Sequence, residues 1–281
     1  MSNLTAAMIK ELRERTGVGM TKCKEALVES DGNIELAIEY LRKKGMASAV
    51  KKEGREIKEG AIYCAETENN LALVEAGAET DFVVKNEKFQ AFLKDVADQA
   101  AASNPSSLEA LMQDTYSKDK SLTLDEYRNV TIQALGENIQ IKRVEIIAKK
   151  EGSSYGVYSH QGGQILCLVE VSGSGSADKI ARDIAMHVAA DDPEYLSAAD
   201  VPEDIIKREE EIAKSQVQGK PANVIDKIVE GKIKAYCDQV ALLSQKFVKD
   251  PSVTVQAHLD AKSKEMGKTL SVTRFWRWSI S

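Results

Sequence analysis

Residues 71–84 read LALVEAGAETDFVV, and this stretch decides how the rest of the chain is interpreted. Residues 71–76 are almost all apolar, which predicts a buried strand. The amphipathic segment from Phe89 to Ala102 predicts the helix that follows. Phe82 therefore lies in a connection between a strand and a helix, where exposed apolar side chains commonly mark contact sites. The alternative is that Phe82 folds back into the core of its own domain.

A second copy of this pattern occurs later in the chain. Residues 166–170, LCLVE, match residues 71–75, LALVE. The helical segments 94–97 and 182–185 also match, but at a smaller offset, so the first copy has the longer connection. Residues needed only for packing should occur in both copies. The extra residues, 80–86, are therefore a candidate functional loop added to a shared fold.

Each copy also begins with a short apolar strand, followed by turn residues. Asn69-Asn70 supply the turn in the first copy and Gly162-Gly163 in the second. The repeated unit is strand, turn, strand, loop and helix. It predicts an α+β fold with two related core subdomains, which we place at residues 55–147 and 148–281.

The composition excludes several classes of protein. A chain of 281 residues, 43% hydrophobic, has room for two or three domains with real cores. The formal net charge of −6 argues against a dedicated nucleic-acid binder, which needs a basic face. No apolar run reaches transmembrane length, and the N-terminus lacks the pattern of a signal peptide. The four cysteines are far apart, without a CxxC pair, so we expect reduced core thiols in a cytoplasmic protein.

Residues 1–54 predict a separate bundle of three short helices. Leu4, Met8 and Leu12 form one apolar stripe, and glycine-containing breaks follow at residues 17–19 and 31–33. Thr21 is the expected cap of the second helix.

Val18 and Met20 flank a glycine in the first turn of this bundle. They either cap the core of the bundle or form an exposed apolar contact for a partner. The segment Lys43–Lys58 is expected to be a linker, either without regular structure or partly helical. Its basic residues could contact phosphate, but the acidic chain favours a solvated face.

Later segments predict further elements in order: a short helix at 108–112, a helix from Tyr127 to Leu135 that stops at Gly136, and a strand over 139–146. Narrowly spaced apolar residues in 200–234, interrupted by a Gly-Lys-Pro turn at 219–221, predict an antiparallel coiled-coil hairpin, placed at about 199–235. Val240–Leu243 is expected to begin a return strand. A helix over 255–264 and a basic, aromatic edge strand over 270–278 complete the chain.

The search for chemistry finds no convincing catalytic group, cofactor motif or metal site. The chain has three histidines. His187 lies in an apolar helix and is expected to be a satisfied, partly buried side chain, whereas His160 at a loop tip is a contact candidate. The loop 172–178, SGSGSAD, follows a strand and opens a helix, which invites a dinucleotide interpretation. Asp178 replaces the third glycine of that fingerprint, so a flexible turn is favoured.

The chain resembles the bacterial elongation factor Ts family, the nucleotide-exchange factors of elongation factor Tu. The matching stretches cover almost the whole length in order and are IKELRERTGVGM (9–20), CKEAL (23–27), ETDFV (79–83), GENI (136–139), AMHVAA (185–190) and VEGK (229–232). The resemblance implies a ubiquitin-associated-like N-terminal bundle, a two-part core and a coiled-coil protrusion. It also implies a factor that binds Tu–GDP and nucleotide-free Tu, with no cofactor and no bond chemistry of its own.

The family also implies roles for particular residues. Its Thr-Asp-Phe-Val loop enters the G domain of Tu and dislodges magnesium, a role that carries over to Thr80, Asp81, Phe82 and Val83. Contacts with Tu are implied for Arg13 and Met20 in the bundle and for Gly136 and His160 in the core.

Two departures and several alternatives remain. Relatives often continue past the final strand, so any contact made by such a tail is expected to be absent or replaced; the usual Gln-Pro-Phe reads Gln245-Lys246-Phe247 here. The chain could instead be an adaptor without exchange activity, or an enzyme that uses the glycine loop. A homodimer and a Tu–Ts heterotetramer are both open, and no contact with nucleic acid or membrane is expected.

Overall fold

The computed structural model describes residues 4–16, 18–217 and 222–280. Their contacts divide them into two units. The first unit holds the described residues up to 149 together with 161–164 and 279–280, and the second holds 150–160 and the described residues of 165–278. Helix and sheet are both well represented, so the predicted α+β class is confirmed.

The first unit begins with a bundle of three helices: α1 (Ala6–Thr16), α2 (Met20–Glu29) and α3 (Ile34–Lys52). The turn before α3 has left-handed backbone at Asp31 and Gly32 (φ 47° and 78°), which confirms the predicted break. Thr21 lies inside α2, whose N-cap is Gly19, so the predicted cap is wrong.

Helix α3 runs further than the sequence indicates. The segment 43–52 is helical, so the partly helical alternative for the linker holds over its first part. Burial explains the difference, because Gly45 and Ala49 on this half of α3 are buried in the first unit. Two basic residues of α3 also have partners later in the first unit. Arg42 bonds to Ser121, and Lys52 bonds to a backbone carbonyl.

The core of the first unit is one antiparallel sheet covered by helices. Its strands are β1 (Glu59–Glu66), β2 (Asn70–Ala78) and β3 (Ile139–Ala148), in the order β1-β2-β3. Beyond its first residue β2 is buried throughout, as its apolar run predicts. The helices of this core are α4 (Asp81–Val84), α5 (Glu87–Ser103), α6 (Leu108–Gln113) and α7 (Leu124–Leu135).

A distant part of the chain forms a hydrogen bond with the outer edge of β1. The Ile62 backbone N–H donates to the Gly163 carbonyl at 2.8 Å. Gly163 has φ 96°, and a Cβ there would lie 2.7 Å from the Ile62 carbonyl oxygen, so only glycine fits without displacement.

The second unit repeats the pattern of two paired strands followed by a helix. Its elements are β4 (Ser153–His160), β5 (Ile165–Ser172), α8 (Asp178–Asp191), α9 (Glu203–Ser215), α10 (Ala222–Val240), β6 (Lys246–Phe247), β7 (Asp250–Thr254), α11 (Val255–Met266) and β8 (Ser271–Ser279). The strand order is β4-β5-β8, so the predicted final strand lies at an edge.

Both copies also contain an ion pair between a buried glutamate and a half-exposed arginine. Glu75 of β2 pairs with Arg143 at 2.6 Å, and Glu170 at the matching position of β5 pairs with Arg274 at 3.3 Å. The connection after β2, residues 79–86, is longer than the one after β5, residues 173–177. The order of two paired strands, a connection and a helix thus occurs twice, and the connection is longer in the first occurrence, at the loop that contains Phe82.

Helices α9 and α10 pack on each other through a narrow apolar seam. Ala213, Val217 and Val229 are buried there, with Ile225, Ile228 and Ile233 beside them. The predicted turn at 219–221 lies outside the described residues. The predicted return strand at Val240–Leu243 is wrong, since Val240 ends α10 and residues 242–244 form a single helical turn. A short buried apolar run fits either structure, and here helix wins.

Candidate functional site

Phe82 is held outside the core by the geometry of α4. Its side chain is 82% exposed, whereas Val83 and Val84 are 8% and 7% exposed and pack into the core of the first unit. A single helical turn sends successive side chains in different directions, so burying the two valines leaves Phe82 on the solvent side. The alternative in which Phe82 folds into its own core is wrong.

Thr80 is the N-cap of this turn, and both of its donors bond to the carboxylate of Glu137. Its backbone N–H donates to Glu137 Oε2 at 3.0 Å, and its hydroxyl donates to Glu137 Oε1 at 2.7 Å. The same hydroxyl oxygen accepts from the Val83 N–H at 3.4 Å, as an N-cap does. The two ends of this bond network are separated by 57 positions in sequence.

A second carboxylate points the other way between the same two segments. Glu79 Oε1 accepts from the Asn138 backbone N–H at 2.7 Å and from Arg55 at 3.4 Å. Asn138 is 1% exposed, and its side-chain amide donates to the carbonyls of Glu53 and Arg55. Residues 79–80 and 137–138 therefore hold each other through carboxylates in both directions.

The N-terminal bundle contacts the helix that leads into this site. Lys22 donates to the Gln133 carbonyl and Lys52 to the Ile132 carbonyl, each at 3.4 Å. Both lysines thus lie at the C-terminal end of α7, where cations are favoured. Burial, with the nearby charge of Lys22, lowers the pKa of Lys52. Gly136 then ends α7 with left-handed backbone, φ 86°.

Asp81 is the charged residue of the turn. Its carboxylate pairs with Lys85 one turn later at 2.7 Å; the lysine side chain is exposed and that of Asp81 is about half exposed. The hydrogen bond and positive charge of Lys85 lower the pKa of Asp81. The surface next to Phe82 therefore presents a neutralised ion pair rather than a free charge.

The residues implied as partner contacts occupy different environments. Arg13 is exposed on α1, and Met20 is 53% exposed at the start of α2. Val18 is 1% exposed and belongs to the core of the bundle, where its carbonyl accepts from the Cys23 thiol. Val18 is therefore not the exposed side chain that a partner contact would require, whereas Met20 is exposed, and its contact with a partner stays a prediction. His160 is an exposed residue at the end of β4 in the second unit, 3.1 Å from the Tyr158 hydroxyl.

His187 is the satisfied buried residue that the sequence predicts. It is fully buried, and its Nε2 lies 2.9 Å from Gln245 Oε1, while Nδ1 accepts from the Val248 N–H at 3.2 Å. Burial lowers its pKa. Phe247 is also buried, whereas Lys246 is exposed, so the departure from Gln-Pro-Phe leaves the inward-facing side chains in place.

The glycine loop after β5 is explained by packing. A Cβ at Gly173 would lie 1.9 Å from the Thr269 carbonyl oxygen. The Ala177 N–H at the start of α8 is already bonded to the Ser154 hydroxyl at 2.7 Å. β5 pairs antiparallel with β4, so the surroundings are not those of a parallel dinucleotide-binding unit.

The remaining chemistry of the described residues is sparse. All four cysteines are unpaired, and three of them, Cys23, Cys167 and Cys237, are buried. Within 4–16, 18–217 and 222–280, no group of acidic, histidine and cysteine side chains has the arrangement of a metal site. Among the helices of those residues, none is both long and apolar enough to cross a membrane.

Sequence reasoning identified the turn but missed the residues that hold it. Glu79, Glu137 and Asn138 lie within the segments 79–83 and 136–139 that match the family, but in the second of these the resemblance implies a role only for Gly136. A carboxylate beside a helix stop carries no local signal of a partner so far away in sequence. Their roles become visible only when the two segments are seen together.

Comparison with known proteins gives consistent matches. A family model described as Elongation factor TS matches residues 79–281. The chain is 56% identical over 280 residues to Elongation factor Ts of Protochlamydia amoebophila (strain UWE25), covering 100% of this chain and 99% of that protein. It is 45% identical over the same length and coverage to Elongation factor Ts of Chlamydia muridarum (strain MoPn / Nigg). The corresponding protein of Chlamydia caviae is 44% identical.

Proposed function

The chain belongs to the elongation factor Ts family, and from that premise we propose that it binds elongation factor Tu–GDP, dislodges the magnesium ion of Tu and promotes GDP release. Tu is thereby regenerated for GTP binding. The observation that carries the proposal is the exposed Phe82 ring on a turn fixed at its first residue. Thr80, Asp81, Phe82 and Val83 form the segment that acts at the magnesium site.

Such a factor works by differential binding and needs no catalytic side chain. It must bind nucleotide-free Tu more tightly than Tu–GDP, and linkage makes the weakening mutual. Inverting a strongly biased equilibrium takes roughly a 10⁴-fold preference, about 5.5 kcal/mol. Burying Phe82 in a pocket of Tu contributes about 1.5–3 kcal/mol. A wide second contact is therefore required.

Exposed residues elsewhere supply candidates for that second contact. Arg13 and Met20 lie on the bundle, Gly136 lies beside the Phe82 turn, and His160 is exposed in the second unit. The Phe82 ring would act as a wedge at the magnesium site of Tu. Displacing the groups that hold magnesium leaves the phosphate charge of GDP poorly neutralised. GDP then leaves faster, with no covalent step.

The same premise extends to organisation. We propose that residues 1–54 form a ubiquitin-associated-like domain, that 55–147 and 148–281 are the two core subdomains, and that the helical pair within about 199–235 is the coiled-coil insertion. The protein would act in the cytoplasm on Tu, without direct contact with nucleic acid or membrane. Light scattering measures the mass of the protein alone and of its purified complex with Tu. The first mass tests for a homodimer and the second for a Tu–Ts heterotetramer.

The direct test is release of a fluorescent GDP analogue from purified Tu. Catalytic amounts of this protein should accelerate release, and each molecule should act on many molecules of Tu. Stable binding to Tu without acceleration would replace the proposal by an adaptor function. Binding of nucleotide to the isolated protein would instead favour the glycine-loop enzyme.

A further inference from the structure

We propose that Glu137 is a positioning residue of the exchange site, whose carboxylate fixes in advance the turn that presents Phe82. The inference rests on the proposed function and adds a residue to it. Glu137 touches neither Tu nor nucleotide in this role. It acts through Thr80.

The geometry favours a positioning role because both carboxylate oxygens meet donors of one residue. Glu137 Oε2 accepts from the Thr80 N–H and Oε1 accepts from the Thr80 hydroxyl, at 3.0 and 2.7 Å. Two bonds to one residue fix its orientation as well as its place. Hydrogen bonds to an ionised acceptor are also stronger than neutral ones.

The bond to the hydroxyl extends the effect into the turn. Because the hydroxyl hydrogen of Thr80 is directed at Glu137, its oxygen can accept from the Val83 N–H. This bond closes the turn on which Phe82 lies, between Thr80 and Val83. Helix α4 has only four residues, too few for a stable helix on its own. An anchor at its first turn therefore sets where the exposed ring lies.

The backbone on either side of Glu137 is itself fixed by hydrogen bonds. Glu137 follows Gly136 at the end of α7, where Lys22 and Lys52 bind the last carbonyls. The neighbouring Asn138 is buried and bonded to Glu79 and to the carbonyls of Glu53 and Arg55. A turn fixed before docking loses less conformational freedom on binding, which favours insertion of Phe82.

The experiment compares Glu137→Ala and Glu137→Gln with the wild type, and Glu68→Ala serves as control. Glu68 is an exposed glutamate in the turn between β1 and β2. Release of fluorescent GDP from Tu is followed over a range of factor concentrations. Glu137→Ala should lower the maximal rate about tenfold and change the half-saturating concentration less than about twofold, since docking elsewhere is intact. Glu137→Gln, which retains one acceptor oxygen, should give an intermediate rate.

A double variant separates positioning from a direct contact. If Glu137 acts through Phe82, then Glu137→Ala should have no further effect in a Phe82→Ala background. An equal further loss in that background would overturn the proposal, because it would show that Glu137 acts independently of the ring. A Glu137→Ala rate equal to wild type would overturn it as well.

Amide hydrogen exchange of the free protein supplies a readout that does not depend on GDP release from Tu. The amides of residues 80–84 should exchange about tenfold faster in Glu137→Ala and remain unchanged in Glu68→Ala. Equal protection in all variants would contradict the anchor. Should Glu137→Ala fail to fold, Glu137→Gln carries the same tests. If the wild type and Glu68→Ala both fail to accelerate GDP release, the proposed function is refuted. The hydrogen-exchange rates of residues 80–84 would still test whether Glu137 fixes the turn.

Discussion

Replacing Phe82 by alanine should separate activity from stability. The ring is 82% exposed, so its removal should change the free energy of unfolding by no more than about 0.5 kcal/mol. Burial of the same ring in Tu is worth about 1.5–3 kcal/mol, and each 1.36 kcal/mol is a factor of ten in rate. Factor-stimulated GDP release should therefore slow by about one to two orders of magnitude.

The assay is release of fluorescent GDP from Tu, with urea unfolding of each variant alongside. Two controls bracket the result. Phe89→Ala removes a fully buried ring and should cost about 3–5 kcal/mol of folding. Val50→Ala trims another exposed apolar residue, 69% exposed on α3, and should leave release unchanged. Wild-type release by a folded Phe82→Ala protein would refute the wedge mechanism, and a loss of stability like that of Phe89→Ala would refute the exposed placement.

Three further outcomes are expected. Val18→Ala should lower the free energy of unfolding by about 1–3 kcal/mol in urea titrations, because Val18 is buried, whereas Met20→Ala should keep that stability and weaken the binding of nucleotide-free Tu about tenfold in calorimetry. Burial lowers the pKa of both His187 and His258 in the folded protein, so the unfolded chain binds protons more readily below about pH 6.5. Stability in urea should thus be flat above that pH and fall below it, and replacing either histidine by glutamine should remove its share of the slope. Gly173→Ala should destabilise the protein by at least about 1–3 kcal/mol in thermal or urea unfolding, since its φ is 95° and the new Cβ would meet a carbonyl oxygen.

The elements with strong periodicity could be predicted from the sequence. The apolar run of β2 and the amphipathic pattern of α5 identified both elements, and comparison with residues 166–170 revealed the repeat. The same comparison pointed to the loop that holds Phe82, because one copy is longer there. Each of these inferences uses residues that are close together in sequence or a pattern that recurs.

The errors arise where distant packing overrides a local pattern. Residues 43–52 look like part of a linker, helical only in places, because their sequence is charged; burial of Gly45 and Ala49 stabilises helix over the whole stretch. Val18 has an ordinary apolar signal that does not distinguish a core position from an exposed one. The pairing of Thr80 with Glu137 spans 57 positions and follows no sequence period, so only the folded chain reveals it.

The hydrogen bond between Ile62 of β1 and Gly163 has a consequence for synthesis on the ribosome. Gly163 is translated about 100 residues after Ile62, which at about 5–20 residues per second amounts to roughly 5–20 s. Throughout that interval the Ile62 N–H at the edge of the nascent β1 lacks its native acceptor, and an unpaired edge donor invites pairing with neighbouring chains. Chains arrested before residue 161 should therefore aggregate more readily, or recruit chaperones more strongly, than chains arrested just after it has left the exit tunnel.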